Sequence, residues 1–184
     1  MVVEMNNEKL DDLFIKTVLD VSKSYEVRFK KMLYLLQIGA DINGWDEDGG
    51  TALHRTAVCG DEIMVKKLLD MGARVDEKDK HCNTPLMKCC QSGNLEIVKL
   101  LLKKGAKVNA VNLFKSSALK FAVREGNIEI VNELLEKGAN PLIKDTLGGN
   151  VLDIAKSNGY KDIEALLLKY KGKKYSEIIK RGGR

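Results

Sequence analysis

Four cysteines and two histidines are the residues of this chain that could bind a metal ion or supply a nucleophile. His81-Cys82 precedes the adjacent pair Cys89-Cys90, a cluster that suggests zinc. Adjacent helical side chains point about 100° apart, and the spacing is not that of paired Cys-x-x-Cys ligands. We therefore expect no metal site here, and we expect Cys89 and Cys90 to be small side chains of a helical core.

A thiol activated by a histidine is the second chemistry that these residues suggest. Cys59 and His81 are the candidates, but nucleophilic catalysis also needs a group that orients the base and an oxyanion hole. The sequence supplies neither of these. Gly148-Gly149 is not part of a Gly-x-x-x-x-Gly-Lys pattern, so it predicts no phosphate-binding loop. We expect no enzymatic activity and no cofactor.

The net charge of +5 is concentrated at the C-terminal end. Residues 169–184 contain seven basic residues and one acidic residue, so the rest of the chain carries a net charge of −1. The near-neutral body argues against nucleic-acid binding by the body itself. Residues 171–184 form a basic tail, which is either a solvated extension or an electrostatic tether to an acidic partner, to nucleic acid or to an anionic membrane.

No feature of the sequence predicts export or a membrane span. Apolar runs stay well below the roughly 18 residues that a spanning helix needs, and the N-terminus lacks the apolar core of a signal peptide. The cysteines show no pairing framework. We expect a cytoplasmic, monomeric protein, although secretion without a signal peptide would leave the same sequence.

The elements that would position any site follow a 33-residue repeat. Segments such as TPLMKCCQSGNLEIVKLLLKKGA (84–106) recur in register on both sides. The residues that open successive helices are Thr51, Thr84, Ser117 and Asn150, and the Gly-Ala pairs that close successive segments begin at Gly39, Gly72, Gly105 and Gly138. A period of this length predicts a stacked array in which no unit buries its apolar face alone.

On these residues the chain resembles the ankyrin-repeat family, whose unit is a hairpin loop followed by two antiparallel helices. The match is strong over 46–144, good over 145–168 and looser over 1–45. The resemblance implies an all-α ankyrin-repeat solenoid with four matching repeats and a divergent N-terminal cap. The predicted segments are an N-terminal capping repeat (1–45), ankyrin repeats (46–78, 79–111 and 112–144), a C-terminal capping repeat (145–170) and the basic tail (171–184).

The two capping repeats depart from the internal pattern. Two apolar stripes predict the helices of the N-terminal cap: Leu10, Leu13, Phe14, Val18 and Val21, and then Val27, Met32, Leu33, Leu35 and Leu36. In the last repeat Glu164 replaces a valine found at Val65, Val98 and Val131. A charge at this position suits a face with no further neighbour.

Some internal positions also depart from the family pattern. Cys82 and Lys115 stand where the hairpin tip usually carries glycine, so either they adopt a left-handed conformation or their hairpins are reshaped. Arg55 and Lys88 occupy a position that is normally apolar. We expect them to reach toward the inner groove, where they are either sequence drift or a positive spot on the binding face. We expect His54 to make structural hydrogen bonds near its hairpin.

The resemblance implies a protein–protein interaction module that binds an unidentified protein through hairpin tips and the concave groove. It carries the binding role onto Trp45, Asp48, Lys78, Lys80, His81, Val111, Leu113, Phe114, Arg124 and Leu147. Leu113, Phe114 and Leu147 are apolar at tips expected to be polar. One hypothesis is that these three residues form a binding hot spot, with Trp45 as a second contact across Lys78 and Lys80. The alternative is that Leu113 and Phe114 fold back onto neighbouring hairpins.

Overall fold

The computed structural model describes residues 7–170, and its regular structure is helical. The helices are α1 (Asn7–Leu19), α2 (Tyr25–Gln37), α3 (Ala52–Cys59), α4 (Glu62–Asp70), α5 (Pro85–Ser92), α6 (Leu95–Lys103), α7 (Ala118–Arg124), α8 (Ile128–Glu136), α9 (Val151–Ser157) and α10 (161–170). Within the described range, β structure is limited to an isolated antiparallel bridge between Val111 and Ser117. The predicted all-α stack of helix pairs is confirmed.

The chain divides into two compact units, the first ending at Ala106 and the second beginning at Lys107. In the first unit α1 packs on α3, α3 packs on α5, and the second helices α4 and α6 contact each other. In the second unit α7 packs on α8 and α9. The basic tail, and with it the alternative of an electrostatic tether, lies outside the described residues.

The predicted helix-opening residues stand at the start of the first helix of each repeat. The Thr51 and Thr84 hydroxyls accept the backbone N–H groups of His54 and Met87, which supplies acceptors for free N–H groups of the first turn. Pro85 occupies the first turn of α5, where its missing N–H costs nothing. Gly60 and Gly93 end α3 and α5 in the left-handed conformation. The local signals therefore set the boundaries of these helices.

The second helices bury one aliphatic face in each repeat. Their fully buried side chains are Met64, Val65 and Leu68 in α4, Ile97, Val98 and Leu101 in α6, and Ile130, Val131 and Leu134 in α8. Glu164 of α10 is half-buried at the position of the buried valines. The predicted loss of a buried position in the last repeat is therefore seen in the structure.

The first helix pair, α1 and α2, differs in part from the sequence prediction. In α1, Phe14 and Val18 are fully buried as predicted, but Val21 lies beyond the end of the helix and is exposed. In α2, Val27 and Leu33 face solvent, although they were predicted to belong to the apolar stripe. The helix α2 begins at Tyr25, after the N-cap Ser24, and its inward face differs from the predicted stripe. The buried residues are Arg28, Met32 and Leu35.

Arg28 ties α2 both to the end of α1 and to the start of α4. Its guanidinium donates from Nη1 to the carbonyl of Val18 at 2.8 Å and from Nη2 to Asp61 Oδ2 at 2.9 Å. The other oxygen of Asp61 accepts the backbone N–H of Met64 and so caps α4. The same carboxylate therefore serves both the ion pair with α2 and the start of α4.

Candidate functional site

Four hairpin tips, defined as residues 46–50, 79–83, 112–116 and 145–149, share one construction. Each opens on a side-chain oxygen that accepts two backbone N–H groups of its own tip. The opening residues are Asp46, Asp79, Asn112 and Asp145. In each tip the opening residue's N–H also donates to the carbonyl of the last residue, with N···O distances of 2.9–3.1 Å. The remaining tip side chains are therefore not needed to close the loop.

The fourth residue of every tip has a positive φ. It is glycine in two tips, Gly49 (73°) and Gly148 (82°), but Cys82 (60°) and Lys115 (54°) in the other two. A side chain in this conformation costs about 1–2 kcal/mol, because its Cβ crowds the following carbonyl oxygen. Of the two predicted alternatives, the left-handed conformation is correct, and the middle tips keep the shape of the outer ones.

Cations neutralise the tip-opening carboxylates of the first two tips, of which Asp79 is buried and Asp46 half-buried. Arg55 Nε donates to Asp46 at 2.6 Å, and Lys88 Nζ lies 3.3 Å from Asp79. Burial by itself would raise the pKa of Asp46, but hydrogen bonds from Arg55 and the tip backbone hold that pKa below its ordinary value. Arg55 and Lys88 are therefore local counter-ions, a role that the sequence analysis did not predict. The alternatives of sequence drift and of a positive spot on the binding face stay predictions.

In the fourth tip the carboxylate of Asp145 is also neutralised by a cation, but this cation stands at a different position of the repeat from Arg55 and Lys88. Lys120 donates to Asp145 and lowers its pKa. In the third tip the opening residue is the neutral Asn112, and position 121, nine residues later, is Phe rather than Arg or Lys. The charge of the tip-opening residue and the presence of a nearby cation therefore change together from repeat to repeat.

His54 has the structural role that the sequence predicted. It is buried, and its Nε2 lies 2.9 Å from the carbonyl oxygen of Asn83 in the second tip. A carbonyl only accepts, so Nε2 carries the hydrogen, and Nδ1 then accepts the backbone N–H of Thr51 at 3.3 Å. The ring therefore holds the second tip against the start of α3 in its neutral form.

Stability should depend on pH through His54. Burial lowers its pKa below the ordinary value of 6.5, so the unfolded chain binds the proton first and stability falls as pH drops through 6.5. Chemical denaturation should show a loss of about 1 kcal/mol between roughly pH 7.5 and pH 5.5. The same loss should persist in His81→Gln, which removes the exposed histidine, and disappear in His54→Gln. An unchanged slope in His54→Gln would contradict the assignment.

In the first unit, every predicted binding residue is exposed: Trp45, Asp48, Lys78, Lys80 and His81. A cavity of about 670 Å³ opens beside Trp45, and seven of its lining residues are acidic while two are basic. Its walls include Asp11, whose carboxylate accepts the backbone N–H of Asp41 at 2.6 Å. Burial raises the pKa of Asp11, and the neighbouring Asp41 charge adds to that effect. The surroundings of the first tip are therefore acidic.

In the second unit the predicted apolar residues face solvent. Leu113 is 59% exposed, Phe114 58% and Leu147 94%, so the alternative that they fold back onto neighbouring hairpins is wrong. The backbone N–H of Thr146 donates to the Phe114 carbonyl at 3.2 Å, which joins the third and fourth tips. These residues are therefore available to a partner.

The other two predicted residues of this unit differ from each other. Val111 is half-buried and forms the β-bridge with Ser117, so it contributes less free surface than expected. Arg124 is exposed and lies over the ring of Phe121, 5.2 Å from its centroid. Trp45 belongs to the first unit, and its proposed role as a second contact stays a prediction.

Two of the four cysteines lie in the helical core. Cys89 and Cys90 are fully buried in α5, as predicted, and all four thiols are free. Burial raises the pKa of the Cys90 thiol well above its ordinary value, which keeps it protonated and unreactive. Over residues 7–170, no group of three or more His, Cys, Asp or Glu side chains is arranged to hold a metal ion.

Sequence reasoning missed the tip-opening residues and their counter-ions. The signal was present, because Asp46, Asp79, Asn112 and Asp145 recur every 33 residues, as the helix-opening residues do. Two tip-opening positions are followed nine residues later by a cation, which a comparison of aligned repeats could have found. Arg28 and Asp61 are one 33-residue period apart, at equivalent positions of consecutive repeats. The next repeats carry Asn94, Asn127 and Tyr160 at this position, so a comparison of aligned repeats shows no recurring ion pair there.

Comparison with known proteins identifies the repeat. A family model for ankyrin repeats, in three copies, matches residues 24–112, and a model for a single ankyrin repeat matches residues 115–146. No curated protein matches the chain as a relative. None of the helices in the described part of the chain combines the length and the apolar character needed to cross a bilayer. Ankyrin repeats are generally protein–protein interaction modules, and proteins built from them are typically non-enzymatic scaffolds.

Proposed function

Because the chain belongs to the ankyrin-repeat family, we propose that it is a protein-recognition module without chemistry of its own, which binds a protein partner through its hairpin tips. The observation that carries this proposal is the exposure of Leu113, Phe114 and Leu147 on two tips joined by a backbone hydrogen bond. Neighbouring exposed apolar side chains of this size are typical of partner sites.

The construction of the tips supports binding rather than folding as the role of these side chains. The third tip closes through Asn112, whose side chain accepts the N–H groups of Phe114 and Ser116 at 2.9 Å. Asp145 closes the fourth tip in the same way through Leu147 and Gly149. The apolar side chains themselves add nothing to these bonds. Their exposure to water is therefore unfavourable, and a partner that covered them would remove this unfavourable hydration.

The mechanism is preorganisation. The tip backbone is fixed before binding, so this chain adds little backbone ordering to the general entropic cost of association. Phe114 suits the role of an anchor because it buries much area with two rotatable bonds. Leu113 and Leu147 would flank it and keep water from the contact.

Replacing Leu113 and Phe114 together by alanine should weaken partner binding at least tenfold, as expected for an apolar anchor of about 1.4 kcal/mol or more. Proteins captured from host lysate on the wild-type chain would be identified, purified and titrated calorimetrically against the variant. Thermal unfolding of the variant should change little, because both side chains are exposed.

The matched control is Val27→Ala/Leu33→Ala, which removes exposed apolar area from α2 and should leave binding intact. A variant that keeps full affinity would contradict the proposed site, and a large fall in unfolding temperature would make Leu113 and Phe114 part of the core. Bound material that ignores the variant but dissociates at moderate salt would favour the basic tail as the binding element.

A further inference from the structure

Lys115 is a lysine in a position that favours glycine. Its φ of 54° places it in the left-handed region, where the equivalent residues of the outer tips are Gly49 and Gly148. The strain is of the order of 1–2 kcal/mol. Strained residues of this kind cluster at binding and active sites, where the surrounding structure holds them in place.

The Lys115 side chain has no ion-pair partner within the described range 7–170, and the same holds for Lys144 at the start of the fourth tip. Both are exposed. Two other cations near these tips are engaged: Lys120 with Asp145, and Arg124 with Glu125 at 3.3 Å. The charges of Lys115 and Lys144 are therefore available to a binding partner.

These two lysines flank the apolar residues of the candidate site. Lys115 follows Phe114 directly, and Lys144 precedes the tip whose Thr146 N–H bonds to Phe114. The third tip opens on the neutral Asn112, and the Asp145 carboxylate of the fourth is neutralised by Lys120. We call this surface the basic-apolar surface, and it comprises Leu113, Phe114, Lys115, Lys144 and Leu147.

We propose that the basic-apolar surface binds an acidic segment of a protein partner that also carries a large apolar side chain, and that Lys115 contacts a carboxylate of that segment. The inference rests on the proposed function and adds the chemistry of the partner. Charge complementarity supports it, because cations beside an apolar anchor favour carboxylates beside an apolar residue. The first tip has the opposite sign, with the exposed Glu47 and Asp48 next to Trp45.

Lys115→Gly and Cys82→Gly separate strain from binding. Both substitutions relieve a left-handed side chain, so both should raise the unfolding temperature. Only Lys115→Gly removes a charge from the basic-apolar surface. A third variant, Lys115→Asn, removes the charge with a side chain that tolerates the left-handed conformation. It should weaken binding without making the tip more flexible.

The probe is a random twelve-residue peptide library displayed on phage and selected on the immobilised full-length chain. Enriched peptides would be synthesised with a fluorescent label and titrated by anisotropy. We expect them to combine Asp or Glu with Leu, Phe or Trp, to bind Lys115→Gly and Lys115→Asn about five- to tenfold more weakly, and to bind Cys82→Gly as they bind wild type. Their affinity should fall with added salt.

The failures of the two proposals are distinguishable. Peptides that lose binding in Leu113→Ala/Phe114→Ala but are neutral or basic, or are insensitive to both Lys115 variants, would overturn the assignment to an acidic segment and leave the proposed function intact. Enriched peptides that are all insensitive to Leu113→Ala/Phe114→Ala would overturn both. An unfolding temperature that does not rise in Lys115→Gly would overturn the claim of strain.

Discussion

Replacement of Arg28 by methionine should lower the free energy of unfolding by about 3 kcal/mol. Arg28 is only 8% exposed, and its guanidinium donates both to the Val18 carbonyl and to the Asp61 carboxylate. Methionine keeps much of the buried stem volume but leaves both acceptors without their donor. A buried acceptor that loses its donor destabilises the fold by more than the intact pair stabilises it, because water cannot reach the acceptor to replace the donor. Urea denaturation of the two proteins measures the difference.

A matched control is Arg74→Met, which removes an arginine from the same unit. Arg74 is exposed and lies 3.3 Å from Glu77, three residues along the chain. Exposed pairs of this kind contribute roughly 0–1 kcal/mol, so this variant should unfold almost as wild type does. Equal losses in both variants would show that the burial of Arg28 has no special effect. A loss below about 1 kcal/mol for Arg28→Met would contradict the role of the ion pair.

The fold could be predicted because the 33-residue period combines several local signals that agree. Thr51 and Thr84 mark helix starts, and Gly60 and Gly93 mark helix ends, through local hydrogen bonds and backbone conformation. Such signals depend on neighbours in sequence, so they can be read without a structure. The 33-residue period then predicts that the helix pairs stack, since each repeat needs its neighbour to bury an apolar face.

The face of α2 could not be predicted in the same way. Apolar residues occur on more than one side of this helix, and the inward side includes Arg28. A pattern that counts arginine as polar finds the buried Met32 and Leu35 but omits Arg28 and wrongly adds Val27 and Leu33. The deciding contact is with Asp61, which lies 33 residues away in sequence and in another repeat. Such a contact depends on the packing between repeats rather than on local spacing.

The candidate site was predicted in part for a similar reason. The apolar character of Leu113, Phe114 and Leu147 is visible in sequence, and family resemblance places them on tips. Whether they are exposed depends on what closes the loop. Asn112 and Asp145 do this through side-chain hydrogen bonds. The sequence pattern alone does not show this closure, so it leaves folding back of Leu113 and Phe114 as an alternative.

Replacement of Asp79 by alanine should cost about 3 kcal/mol of unfolding free energy. Its carboxylate accepts the backbone N–H groups of His81 and Asn83 and both contacts from the Asn83 amide nitrogen. Burial alone would raise the pKa of Asp79, but these bonds and the nearby Lys88 hold it below its ordinary value, so the group is charged near neutral pH. Alanine leaves the donors and the lysine without their acceptor.

A double-mutant cycle separates the ion pair from the hydrogen bonds. Asp79→Asn keeps an oxygen for the tip backbone but removes the charge, and Lys88→Met removes the counter-ion. Each substitution alone leaves the charge of the other residue unpaired. The double variant should therefore lose about 1 kcal/mol less unfolding free energy than the sum of the two single losses. The control cycle is Asp48→Asn with Lys80→Met, an exposed pair 3.9 Å apart, which should couple by about 0.2 kcal/mol or less.

Equal coupling in the two cycles would mean that the Asp79–Lys88 contact is an ordinary surface pair. A larger coupling for Asp79 and Lys88 alone would support the view that tip carboxylates need a counter-ion once they are buried. It would also explain the correlated choice seen along the chain. A tip opened by Asp comes with Arg55, Lys88 or Lys120, whereas the tip opened by Asn112 has Phe121 at the corresponding position. The physical cause is the cost of a buried carboxylate without a compensating charge.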